Sequence, residues 1–282
     1  MWRLSILRRI APQIASILLW SCLVVWLNNS YATTLRAWTV APFTLLGVAL
    51  SIFLGFRNSA CYDRWWEARR QLGAMVGEMR SFARICVSFP KIDQSDREAL
   101  VRDAITYAYE LMYSLRDGSR PTALPAEMQT THNPPDFVLR SLGLRVAARL
   151  DQGVIGEQVY KLLEEKLTAF AAFQVACERI RSTPTPFTYT LLIHRTSYAY
   201  CFLLPFGLAS TMGWATPLFT CLVAYAFFGL DALGDELEDP FGDHANALPL
   251  LALARTIEIS LLESINAKEV PDFLQPVDFV LT

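Results

Sequence analysis

Val48, Ile52 and Phe56 stand four residues apart within the uncharged run Trp38–Phe56. On a helix they would stack above one another along one face. An arbitrary apolar row of this kind faces lipid or packs on another helix. It can also line a pore, where rings of apolar side chains gate ions by excluding water. Two features favour the pore. Thr44, Gly47, Ala49, Ser51 and Gly55 are small or hydroxyl-bearing and lie in the same run, which lets helices approach closely. The run also passes at Arg57 into a polar segment with no proline between them, so the helix can leave the bilayer as one rod lining a wet vestibule. That polar segment opens with Tyr62-Asp63-Arg64-Trp65-Trp66-Glu67, rings interleaved with charges as at a membrane surface. Asp63 and Glu67 are like charges one turn apart, which is slightly unfavourable. The spacing therefore calls for a cation nearby, from Arg64, Arg70 or a neighbouring helix.

Other constellations are weaker. Walker, Rossmann, GxSxG and HExxH patterns are absent, and the spans lack a convergent set of polar side chains, so the chain does not read as an enzyme. His132, His194 and His244 share no metal-ligand spacing. Cys22, Cys61, Cys86, Cys177, Cys201 and Cys221 are scattered, with no disulfide framework or metal site among them. Gly73 and Gly77, three residues between them in the polar segment, suggest close packing. Asp231, Asp235, Glu236, Glu238 and Asp239 read as a solvated helix end, or as a source of negative potential at a vestibule. A net charge of −2 gives no basic field for nucleic acid.

These residues need a membrane framework to position them. Charged residues make up 18% of the chain, below the roughly 25% of soluble domains, and the apolar residues are gathered in runs. The expected fold is all-α, with membrane-spanning helices at 10–27, 38–56, 188–212 and 214–230. The first is a retained span, since 18 apolar residues exceed the roughly 7–15 of a signal-peptide core. The last counts only 13 strictly apolar residues, Leu218–Leu230, which leaves full crossing open. Helical character continues past Arg57 to about residue 87. A rod of some 45 residues is roughly 68 Å long at 1.5 Å per residue, more than twice a bilayer core of about 30 Å. The regions 57–187 and 231–282 are helical and cytoplasmic, with helices expected at 97–116, 140–150, 157–181 and 248–266 and a loop at 117–136. Arg3, Arg8 and Arg9 before the first span, and Arg57, Arg64, Arg69 and Arg70 after the second, put both termini in the cytoplasm.

Ser-Ile-Phe-Leu-Gly-Phe at 51–56, followed by Tyr62 and Arg64-Trp65-Trp66, resembles the bestrophin signature. Pro186-Phe-Thr-Tyr-Thr190 resembles the segment before that family's third span, and Asp239-Pro-Phe-Gly242 its Asn-Pro-Phe-Gly motif. The likeness covers most of residues 5–265. The short chain and the form Asn58-Ser-Ala-Cys-Tyr-Asp-Arg-Trp-Trp-Glu67 are similar to the bacterial branch, so the bacterial inner (plasma) membrane is the expected location.

The resemblance implies a homopentamer, each copy one channel subunit over 1–282, around a single axis that conducts small monovalent ions. It puts Val48, Ile52 and Phe56 at the narrow neck. It puts a second, cytoplasmic exit constriction at 183–186, where Thr185, with Thr183, replaces the aliphatic residue often found there. Arg64, Trp65 and Trp66 would lock neighbouring subunits. Calcium-activated members carry an acidic run after the Asn-Pro-Phe-Gly motif. Here it is Asp243-His244-Ala245-Asn246-Ala247, a poor match to the six to eight oxygens calcium takes, so no calcium clasp and no cofactor are expected. Animal members are chloride channels and bacterial relatives can resemble cation channels; the acidic end of the fourth run leans the expectation toward Na+ or K+. A chloride channel and a non-conducting membrane scaffold are the alternatives. The expected partners are further copies of the chain, the permeating ions and membrane lipid.

Overall fold

A computed structural model describes residues 6–30, 39–116, 128, 131–277 and 281. Arg3, Trp38, residues 31–37 of the first loop and 117–127 of the long loop lie outside the described residues. The described elements are helical: α1 (Ile6–Ser30), α2 (Ala41–Ser88), α3 (Gln94–Leu115), α4 (Pro134–Asp151), α5 (Glu157–Ser182), α6 (Phe187–Met212), a 3-10 turn (Gly213–Ala215), α7 (Thr216–Glu238) and α8 (Leu250–Ser264). Among the described residues three stretches are long and apolar enough to cross a membrane: Ile6–Ser30, Ala41–Ser88 and Phe187–Glu238. The chain forms two compact units, Met1–Trp65 with Pro184–Asp239, and Trp66–Thr183 with Pro240–Thr282. Helix α2 contributes to both.

In the first unit α1, α6, α7 and the start of α2 share an apolar core that includes Ile10, Ile17, Phe43, Leu50, Leu54, Ile193, Leu204, Ala224 and Phe228. Helices α6 and α7 are an antiparallel hairpin. Tyr200 meets Phe227 edge-on and Tyr198 stacks on Phe228, so residue numbers fall on one arm as they rise on the other. Both pairs centre on Gly213, whose φ of 52° with ψ of −130° favours glycine. From there to the His194–Asp231 contact each arm is about 18 residues, roughly 27 Å, close to a bilayer core of about 30 Å. The run that looked short in sequence is thus matched in length by its partner, because α7 continues as helix through its acidic end. Two close approaches bring α2 against α6. A Cβ on Gly47 would lie 2.5 Å from the Tyr200 hydroxyl oxygen, and one on Gly207 2.5 Å from the Phe43 ring.

The second unit holds the rest of α2 with α3, α4, α5 and α8. Phe82, Tyr107 and Phe170 form an aromatic centre, and the buried Tyr107 hydroxyl donates to the Phe170 carbonyl at 2.7 Å. Asp93 caps α3 by accepting from the Asp96 N–H at 2.7 Å. Asn133 caps α4 through the Asp136 N–H at 3.2 Å. That cap corrects the expected boundary at 140. Pro134 and Pro135 open the helix, where a missing N–H costs nothing, instead of extending the loop to 136.

Candidate ion pathway

The buried positions of α2 in the first unit are Phe43, Leu50, Leu54, Arg57 and Cys61, a seam with steps of seven, four, three and four residues. The other side of the helix carries Val48, Ile52 and Phe56, which are 55%, 51% and 65% exposed. The structure thus brings the three neck candidates together in one row that their own chain leaves uncovered. Gly55 sits beside the row, and a Cβ added there would meet nothing within 4 Å. Asp63 follows Phe56 by seven residues, which returns to nearly the same face at 3.6 residues per turn. It is exposed and has no ion-pair partner among the described residues.

Below the row lies an ionic cluster that sequence reasoning missed. The Arg57 guanidinium, with no exposed side-chain surface, donates to Asp231 Oδ1 at 2.8 Å and to Asp235 Oδ1 at 2.7 Å, with Glu238 Oε2 3.6 Å away. Its Nε has no partner among the described residues. Arg9 reaches the other oxygen of Asp235 at 2.7 Å. His194 Nδ1 lies 2.6 Å from Asp231 Oδ2. Arg64 Nε donates to the Glu238 carbonyl at 2.7 Å. The expectation of a solvated acidic helix end is therefore corrected for Asp231, whereas Asp235, Glu236 and Glu238 are half-buried and Asp239 is exposed. Asp231 is buried, and a buried carboxylate needs a cation because the charge leaves water at a cost of several kcal/mol. Gly234 makes room for the cluster: a Cβ there would fall 2.6 Å from Asn58 Oδ1 and 2.9 Å from Arg57 Nη1. The signal in sequence was Arg57 itself, an arginine interrupting an apolar helix, together with acids spaced by four and three residues.

Thr185 belongs to the same unit and is held by Glu238. Its N–H and its hydroxyl both donate to Glu238 Oε1, at 2.9 and 2.6 Å, and the hydroxyl lies 3.2 Å from that of Thr190. Thr183 belongs to the second unit, where it caps α5 by donating its N–H to the Arg179 carbonyl at 3.0 Å. Trp65 stacks near Tyr62 with ring centres 6.4 Å apart, and Trp66 is half-exposed. The cation that Glu67 requires is Arg70, at 2.5 Å, assisted by Gln71 at 2.6 Å. The Gly73 and Gly77 pair does not pack within this chain: an added Cβ would meet only the Arg69 guanidinium at 3.4 Å, or nothing within 4 Å.

A model of the family described as "Bacterial/Fungal Bestrophin protein" matches residues 1–263. The chain belongs to the bestrophin family. It is 44% identical over 281 residues to "Voltage-dependent anion channel-forming protein mll4386" of Mesorhizobium japonicum, covering 97% of this chain and 90% of that protein. It is 37% identical to "Voltage-dependent anion channel-forming protein YneE" of Salmonella typhi, covering 96% and 93%. A crystal structure of a bacterial bestrophin homolog from Klebsiella pneumoniae superposes with a TM-score of 0.88 at 34% identity, over 92% of this chain and all of the other. As a bestrophin this is an ion channel of the membrane and not an enzyme.

Proposed function

We propose that this bestrophin is a homopentameric channel that passes small monovalent ions through a neck formed by Val48, Ile52 and Phe56 of five α2 helices. The reading is carried by one observation: a row of three large apolar side chains left uncovered along one face of a membrane helix. Five such rows around an axis make apolar rings that hold back water, and with it ions, until they widen. Open space at Gly55 and Gly77 supports close contact between copies. Thr185 forms the exit constriction; its hydroxyl is engaged by Glu238, which favours an apolar methyl at the opening. Arg64, Trp65 and Trp66 tie neighbouring copies. The subunit crosses the bilayer four times, with the α6–α7 hairpin as the last two spans. Both termini and the charged regions lie in the cytoplasm of the bacterial inner membrane, consistent with arginines near α1 and α2 and none in the 213–215 turn.

No calcium clasp is proposed. The segment 243–247 offers one carboxylate, Asp243, which does not fit an ion that takes six to eight oxygens.

For the sign of the ion, the cation reading rests on Asp63. In a pentamer it would give a ring of carboxylates directly beyond the neck, whereas Asp231 and Asp235 are neutralised by Arg57 and Arg9. The relatives' printed names favour anions. Reversal potential across a NaCl gradient in reconstituted bilayers tests both readings. A potential near the sodium value that collapses in Asp63→Asn supports cations, and a potential near the chloride value assigns anions. Zero flux in the wild type and in Ile52→Ala and Phe56→Ala would make the protein a non-conducting scaffold.

A further inference from the structure

Thr185 stands between Pro184 and Pro186, so it carries the only backbone N–H in that Pro-Thr-Pro stretch. Both of its donors, the N–H at 2.9 Å and the hydroxyl at 2.6 Å, end on one atom, Glu238 Oε1. The other hydrogen bonds of the stretch among the described residues run to Tyr189 and Thr190, in the first turn of its own continuation, α6. Packing adds little, because Pro184, Pro186 and Phe187 are all exposed. Glu238, by contrast, is firmly placed. Its side chain is 18% exposed, and Oε2 lies 3.6 Å from Arg57 Nη2. Its carbonyl accepts from Arg64 Nε at 2.7 Å. Arg57 follows Phe56 directly, and its guanidinium is fixed by Asp231 and Asp235. One carboxylate thus joins the Pro-Thr-Pro stretch to the base of the row Val48–Ile52–Phe56.

Glu238 is the last residue of α7. A carboxylate there meets the negative end of the helix dipole, and its partial burial adds a desolvation cost. The nearby Arg57 and the two Thr185 donors offset both, since hydrogen bonds to an ionised acceptor are the stronger kind. We infer that Glu238 is the positioning residue of the exit constriction, holding Thr185 in place from the base of the neck. The inference rests on the proposed roles of Thr185 and of the row. It adds that α2 and α7 set the exit, through a residue outside the stretch that forms it.

Single-channel recording in planar bilayers tests it, through the relative permeability of a large and a small ion of the conducted sign: tetramethylammonium against sodium, or methanesulfonate against chloride. That ratio belongs to each open channel. A variant that only folds less well lowers the number of channels and leaves the ratio alone. Thr185→Ala trims the ring directly and should raise the large-to-small ratio. Glu238→Ala releases Thr185 and should raise it too, with the subunit number unchanged by native mass spectrometry. Glu238→Gln keeps an oxygen for both Thr185 donors, so its ratio should stay closer to wild type. A raised ratio in Thr185→Ala with a wild-type ratio in Glu238→Ala would overturn the inference and leave the exit constriction standing. A wild-type ratio in Thr185→Ala, or no current at all, would overturn the exit constriction and the inference with it. Glu238→Gln matching the alanine variant would show that the acceptor for Thr185 has no effect, and an altered subunit number in Glu238→Ala would assign Glu238 to assembly; either would overturn the positioning role.

Discussion

Arg57, with no exposed side-chain surface, holds the carboxylate of Asp231 at 2.8 Å across 174 residues of sequence. The pair joins α2 to α7 at the point where both helices change from apolar to charged. Removing the arginine leaves the buried Asp231 with His194 alone, at 2.6 Å, so Arg57→Ala costs up to about 3–5 kcal/mol. Thermal unfolding of the detergent-solubilised protein should show a large loss. An Asp235→Asn variant, whose carboxylate is a third exposed, should lose much less.

Gly234 gives a second, purely steric test of the same cluster. A methyl group at 2.6 Å from Asn58 Oδ1 cannot be accommodated without displacing Asn58 or Arg57. Gly234→Ala should destabilise by about 1–3 kcal/mol, the range of overpacking in a well-filled site. The double variant with Asn58→Ala should recover part of the loss in the same unfolding experiment.

At the proposed neck, shortening a side chain of the row would widen the opening. Ile52→Ala and Phe56→Ala should raise ion flux into liposomes above wild type, with Tm little changed because both side chains are largely exposed within the subunit. Leu54→Ala, on the buried side of the same helix, should instead cost about 2–5 kcal/mol of stability.

Thr185 separates a structural from a conductive role. Thr185→Val keeps the shape but loses the hydroxyl bond to Glu238, worth about 1.5–3 kcal/mol for a charged acceptor. Under the proposed exit constriction it also presents an extra methyl group, and flux through reconstituted channels should fall. Unchanged flux alongside a lower Tm would confine Thr185 to holding α7.

In the second unit, burial and then the hydrogen bond to Glu258 push the Tyr109 phenol up from 10 to about 12. The folded state therefore keeps its proton where the unfolded chain has lost it, and stability declines as pH rises from 10 toward 12. Tyr109→Phe should make that decline shallower in alkaline denaturation followed by circular dichroism.

The membrane helices were legible because apolar runs of this length have few other uses, and α3 and α5 because their apolar residues recur at helical spacing. The continuity of α2 could be read from the lack of any proline between Phe43 and Ser88. The start of α4 was not legible, because Asn133-Pro134-Pro135 serves equally as a turn and as a capped helix entrance. The burial of Asp231 was hidden for a different reason. Acids at a helix end look solvated unless their cation is known, and Arg57 lies on a distant stretch of chain. The row Val48–Ile52–Phe56 was visible from spacing alone, whereas the open face it occupies depends on what α1, α6 and α7 leave uncovered.

Only three residues, Gly213–Ala215, separate α6 from α7. In the proposed four-span topology a connection that short makes the two arms enter the bilayer together as one folded wedge. The hairpin then offers, on the far side of the membrane, almost nothing for a protease, an antibody or a membrane-impermeant label to grip.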